Sequence, residues 1–168
     1  MMPMKIAAVM MVLAVPGAAQ TQSPCSDLEY RQFDFWIGEW DVVNPKGDTV
    51  GRSLIERIEG GCAILENYST ARGYSGKSIN AYNSERNQWQ QFWVDNQGAV
   101  LEFAGILAGN ELRYAGESKS DSGKLLHKLT FFHISRERVR QLWEQSSDDG
   151  KTWAVVFDGM YHRKNRPG

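Results

Sequence analysis

The side chains able to do chemistry are few and scattered. Three histidines, His127, His133 and His162, and two cysteines, Cys25 and Cys62, are the conventional ligands for a metal or a haem. No H-x-H, H-E-x-x-H or C-x-x-C spacing joins them. His127 and His133 share one face of an expected strand, but their separation along it is about 20 Å, too far to hold one metal. Glu66, Glu102, Arg140 and Glu144 fall on expected strands. A carboxylate buried beside an Arg can serve as a base, whereas the same residues on a surface form ion pairs worth under about 1 kcal/mol. No Ser-His-Asp or Cys-His set and no phosphate-cradling Gly loop can be assembled. The residues specify no catalytic constellation and no metal site.

The two cysteines read as a bond. Lys5, the apolar run Ile6 to Val15 and the small residues Gly17 and Ala19 form a signal peptide over residues 1–19, with the cut expected before Gln20. The apolar run is shorter than the roughly 20 residues a membrane span needs, so no transmembrane segment is expected in the mature chain. Gln22-Ser23-Pro24 before Cys25 is no lipobox. The expected location is periplasmic or secreted, where an even cysteine count favours a Cys25–Cys62 disulfide. Residues 20–168, about 149 of them, suffice for one domain with its own core. The net charge of −1 and the lack of any basic run outside the Arg163-Lys164 and Arg166 tail exclude a nucleic-acid partner.

Positioning these residues falls to strands. From Asn44 onward, turn signals such as Asn44-Pro45-Lys46-Gly47, Gly60-Gly61, Gly109-Asn110 and Asp148-Asp149-Gly150 recur about every ten residues. The runs between them are rich in Val, Ile, Tyr, Phe and Trp, which fit a half-buried pleated surface. About ten strands result, preceded by a short helical turn over Asp27 to Phe35 with Ser26 as its cap. Ten short strands in an open sheet would leave two bare edges. Closure removes them, so the expected fold is an all-β antiparallel meander closed into a barrel.

Turn geometry sets the expected register. Pairing Val94 with Ala99, Ala108 with Glu111 and Lys119 with Lys124 places Gln90, Phe92, Phe103, Tyr114, His127, Leu129 and Phe131 on one mostly apolar face, assigned to the interior. The other face carries the charges together with Trp89, Gln91 and Trp93.

Several motifs carry resemblances. Gly38-Glu39-Trp40 resembles the G-x-W of the lipocalin and calycin superfamily. That resemblance implies a lipocalin-like barrel in which Gly38 admits the turn into the first strand and Trp40 plugs one end beneath a basic residue of the last strand, here Arg163. FDFWIGEWDV (33–42), GCAILENY (61–68), VRQLWEQSSDDGKTW (139–153) and FDGMYHR (157–163) together resemble an uncharacterised family of exported bacterial proteins of unknown function. The resemblance implies fold and location and assigns no activity. Ser146 to Trp153 is similar to the Asp-box of sialidases, S-x-D-x-G-x-T-W. In that hairpin device Asp148 accepts loop N–H groups, Gly150 admits positive φ and Trp153 packs beneath the turn.

Three functions are expected in order. The first is non-catalytic binding of a small apolar ligand by Phe92, Phe103, Tyr114, Leu129 and Phe131, oriented by Gln90 and His127. The second is a carbohydrate-binding surface in which Trp89 and Trp93 stack on sugar rings. The third is haem binding or a small-molecule enzyme using His127, by analogy with nitrobindin, a related barrel that holds haem through one interior His. The competing structural role for His127 is a core residue bonded to Tyr114 or Gln90.

Overall fold

The computed structural model describes residues 24–121 and 123–164; the expected signal peptide, residues 1–19, lies outside them. Two 3₁₀ turns, Leu28–Arg31 and Asp34–Trp36, lead into the strands. The strands are β1 (Gly38–Val43), β2 (Thr49–Ile58), β3 (Ala63–Ser69), β4 (Ser75–Asn83) and β5 (Gln88–Asp95), then β6 (Val100–Ala108), β7 (Glu111–Ser120), β8 (Gly123–Ser135), β9 (Arg138–Ser146) and β10 (Ala154–Arg163). Each pairs antiparallel with the next, and β10 returns to β1, where Trp40 lies opposite Arg163. The chain is thus a closed ten-stranded lipocalin-like barrel, as the turn spacing and the edge argument require. The expected helical turn is split in two, and its first half is capped from Asp27, without a side-chain bond, rather than by Ser26.

One end of the barrel is sealed. Phe33 stacks on Trp36 at 4.9 Å, and both rings meet Phe131, at 4.9 and 4.6 Å. Trp40 is fully buried and donates its indole N–H to the Trp36 carbonyl at 2.8 Å. Above Trp40, the Arg163 guanidinium sits 4.1 Å from the ring centre and donates to the carbonyls of Ile37 and Arg136, both at 2.8 Å. Gly38 has φ 143°, and a Cβ there would collide with that guanidinium. The Gly of the G-x-W is therefore required twice, by its backbone angle and by the room Arg163 needs. The Cys25–Cys62 disulfide ties the segment before the first 3₁₀ turn to the start of β3 at this same end.

The opposite end carries the Asp-box hairpin between β9 and β10. Asp148 accepts the Thr152 amide (2.9 Å), the Thr152 hydroxyl (2.6 Å) and the Ser146 hydroxyl (2.7 Å). These bonds, the Thr152 hydroxyl foremost, hold the Asp148 carboxyl down at about 2. Trp153 donates to the Gly150 carbonyl at 3.1 Å, and Lys128 lies 3.7 Å over its ring.

The register follows expectation at two turns and departs at one. Ala108 pairs with Glu111 and Lys119 with Lys124. Val94, however, pairs with Val100 and not with Ala99. The cause is Asp95, whose Oδ1 accepts the amides of both Gln97 and Ala99 at 2.9 Å and so draws Ala99 into the turn. One residue of slip reverses every side chain of β5. Trp89, Gln91 and Trp93 face inward, whereas Gln90, Phe92 and Val94 face outward.

Replacing Arg163 with Ala removes the cover over Trp40 and leaves two backbone carbonyls without their charged donor. The expected loss is about 2–4 kcal/mol in urea unfolding, with Arg163→Lys falling between the two.

Candidate functional site

Inward positions differ between the two halves of the wall. On β6 to β8 most are large, Leu101, Phe103, Leu112, Tyr114, Leu129 and Phe131, with Gly105 and Gly116 between them. On β2 and β4 those towards the open end are small, Gly51 and Ser53, and Gly76 and Ser78, with Ile55 and Asn80 beyond them. A Cβ on Gly51 would strike the Tyr68 ring, and one on Gly76 would strike the Trp93 indole. These two glycines therefore let aromatic rings lie flat against the wall. The outcome is a cavity of about 580 Å³ at the open end. Its rim is formed by Asn44 and Pro45 in the β1–β2 turn, Thr70 and Tyr74 beside the β3–β4 turn, and Val155 and Val156 at the bulge that opens β10. Tyr74 is anchored there by donating to Asp95 at 3.0 Å; burial and that neighbouring carboxylate push its hydroxyl up to about 12.

The floor is polar. Glu66 on β3 is only 2% exposed, yet it lines the cavity. Its Oε1 accepts the Ser53 hydroxyl at 2.8 Å, and its Oε2 accepts the Ser78 hydroxyl at 3.0 Å. The bonds continue behind it as a directed chain. Gln91 donates to Asn80 at 2.8 Å, and Asn80 donates to Ser78 at 3.0 Å. Tyr114 also donates to Asn80, at 3.3 Å. On the other side the Tyr161 hydroxyl lies 3.3 Å from Glu66 Oε1 and 2.6 Å from Gln141 Oε1. Its single proton serves one acceptor at a time, so a protonated Glu66 can donate to Tyr161 while Tyr161 donates to Gln141. Both charge states of Glu66 thus find partners.

No ion pair reaches Glu66 among the described residues. Burial therefore dominates, and it pushes the carboxyl up to about 7 against the opposing bonds from Ser53, Ser78 and Tyr161. Desolvation likewise raises the Tyr161 and Tyr114 hydroxyls well above their ordinary value, the charge of Glu66 adding to the effect at Tyr161.

The expected site residues divide. Phe103 and Leu129 line the cavity. Tyr114, His127 and Phe131 are buried in the wall and sealed end without lining it. Gln90 and Phe92 are on the outer face, Phe92 being 45% exposed, and the slip at β5 puts Gln91 and Trp93 in their place. The same slip removes the expected surface platform. Trp89 is 1% exposed and donates to Gln32 at 3.1 Å, and Trp93 is a wall of the cavity. Of Glu66, Glu102, Arg140 and Glu144, only Glu66 faces in. Arg140 binds Asp158 through two bonds of 2.8 Å away from it.

His127 has neither Tyr114 nor Gln90 as a hydrogen-bond partner. The Trp143 indole, which can only donate, gives its N–H to Nδ1 at 3.1 Å. The proton of a neutral ring is then on Nε2, which is 2.7 Å from the Ser118 hydroxyl. Burial lowers the pKa and keeps the ring neutral. With the Nδ1 lone pair engaged by indole, Nε2 protonated and the ring outside the cavity, His127 does not fit an axial haem ligand.

No family model and no curated protein matches the chain.

The Glu66 environment carries a pH signature. The folded chain holds this proton to about 7 and the unfolded chain only to about 4.5. Folding is thus fully unpenalised below 4.5 and loses stability as pH rises towards 7, by about 3 kcal/mol in all. Glu66→Gln abolishes that loss. Relative to the parent chain, the variant is expected to gain about 3 kcal/mol in denaturant unfolding between pH 4 and pH 8.

Proposed function

We propose that this chain binds a small, mainly apolar molecule in the cavity at the open end of its barrel, and does no chemistry on it. The observation carrying this reading is a hollow of about 580 Å³ walled by aromatic and aliphatic side chains, with a few placed polar groups at its floor. Pockets for small organic ligands have that size and make-up, whereas a narrow barrel with no ligand is filled by its own side chains. The G-x-W, with Trp40 beneath Arg163, supports the likeness to lipocalins and calycins. The Cys25–Cys62 bond, together with the leader expected from the sequence over residues 1–19, supports a periplasmic or secreted location. Among the described residues no helix is long and apolar enough to cross a membrane.

The orienting groups in this reading are Glu66, Gln91, Gln141 and Tyr161, and the walls are Tyr68, Trp93, Leu101, Phe103, Leu129 and Trp143. N-phenyl-1-naphthylamine, a neutral apolar fluorophore, tests it. Uptake is expected to brighten the dye and quench Trp93 and Trp143 by energy transfer. Leu101→Trp fills the hollow and is expected to weaken uptake at least tenfold while leaving the thermal transition cooperative. Equal uptake by the folded variant, or none by the parent chain, contradicts the proposal.

A further inference from the structure

The charged residues that line the cavity are all of one sign. Its lining holds two carboxylates, Glu66 and Asp158, and no Lys, Arg or His. Asp158 is already neutralised by the two-pronged bond from Arg140. Glu66 is not. The groups that face it are Ser53 on β2, Ser78 on β4, Gln141 on β9 and Tyr161 on β10, with Tyr68 two residues along its own strand, and none of these bears a positive charge.

The remaining wall is aromatic. Seven of the lining residues are Phe, Tyr or Trp. Tyr68 lies at the centre of one cluster, 6.5 Å from Trp93 and 6.4 Å from Phe157, with planes inclined at 57° and 88°. Mutually inclined rings form the sides of a box and do not stack into a block. The faces of such rings are electron-rich and attract cations.

We infer that the cavity is built for an organic cation, an ammonium ion on an apolar body, whose charged head sits against Glu66 inside the ring of aromatic faces. This inference rests on the cavity being the binding site. An ammonium head supplies the positive partner that no side chain of the barrel gives Glu66, and in a desolvated site that attraction is far stronger than in water. It also gains from the rings. A carboxylate head, as on a fatty acid, would meet Glu66 with like charge and find no basic residue in the lining. A hydroxyl head would gain one neutral hydrogen bond.

Three ligands with one body separate these cases: decylammonium, 1-decanol and decanoate, each titrated below its micelle concentration into the full-length chain at pH 8 by calorimetry. Decylammonium is expected to bind at least tenfold tighter than decanol, with decanoate weakest. Glu66→Gln is expected to cut decylammonium affinity at least tenfold and to change decanol affinity by less than threefold. Decanol or decanoate binding as tightly as decylammonium, or decylammonium affinity unchanged in Glu66→Gln, overturns the inference and leaves a neutral-ligand cavity standing. Failure of decylammonium to bind a protein that takes up N-phenyl-1-naphthylamine overturns it equally. If none of the four compounds binds, the binding reading of the cavity is itself lost.

Discussion

A carboxylate buried in the barrel wall, with no cationic side chain beside it among the described residues, governs this structure. Taking an ionised carboxyl out of water is costly unless it is paired or richly hydrogen-bonded, and Glu66 has only the second remedy. Its neighbours are shaped to that need. Ser53 and Ser78 take inward positions where a filled core would have Val or Leu. Asn80, Gln91 and Tyr114 pass hydrogen bonds towards Ser78, and Tyr161 bridges to Gln141. The same small side chains that satisfy the carboxyl also leave the space beside it. Hollow and charge have one origin in the sequence.

The opposite end makes that arrangement affordable. Phe33, Trp36, Trp40 and Phe131 pack the sealed end as a conventional aromatic core, and Arg163 covers it with a cation on a ring face and two carbonyl bonds. Packing there fixes β1 against β10 and closes the barrel, so the open half need not be filled to hold the fold. His127 belongs to the wall between these halves. Its bonds to Trp143 and Ser118 join β8 to β9 and β7, and they keep a polar ring neutral in a buried place.

Much of this was legible in the residues, and the failures have physical causes. The turn spacing and the bare-edge argument led to a closed meander, and G-x-W pointed to the Trp40–Arg163 pair. Gly109-Asn110 and the 120–123 turn gave correct registers because those short turns leave the flanking pairs unambiguous. The turn after β5 misled, since a single carboxylate, Asp95, captures the amide of Ala99 and lengthens the loop by one residue. That bond exchanged Gln90 and Phe92 for Gln91 and Trp93, and it turned an expected outer tryptophan platform into an inner wall. Glu66 was visible only as one of several charged strand residues. Both alternating sets of β3, Ala63-Leu65-Asn67 and Ile64-Glu66-Tyr68, are apolar with one polar member, so the strand alone does not say which faces in. Its pairing with β2 across the Gly60-Gly61 turn, where Ile58 meets Ala63, decides it.

The account depends on Glu66 being buried without a positive partner, and its own titration is the direct measure of that. Carbon-13 NMR of the glutamate side-chain carboxyls, with Glu66 assigned through its Gln variant, is expected to give a midpoint near 7 in the ligand-free chain. A midpoint in the ordinary glutamate range, between about 4 and 5, would mean that water or a cation reaches the carboxyl, and it would contradict the account.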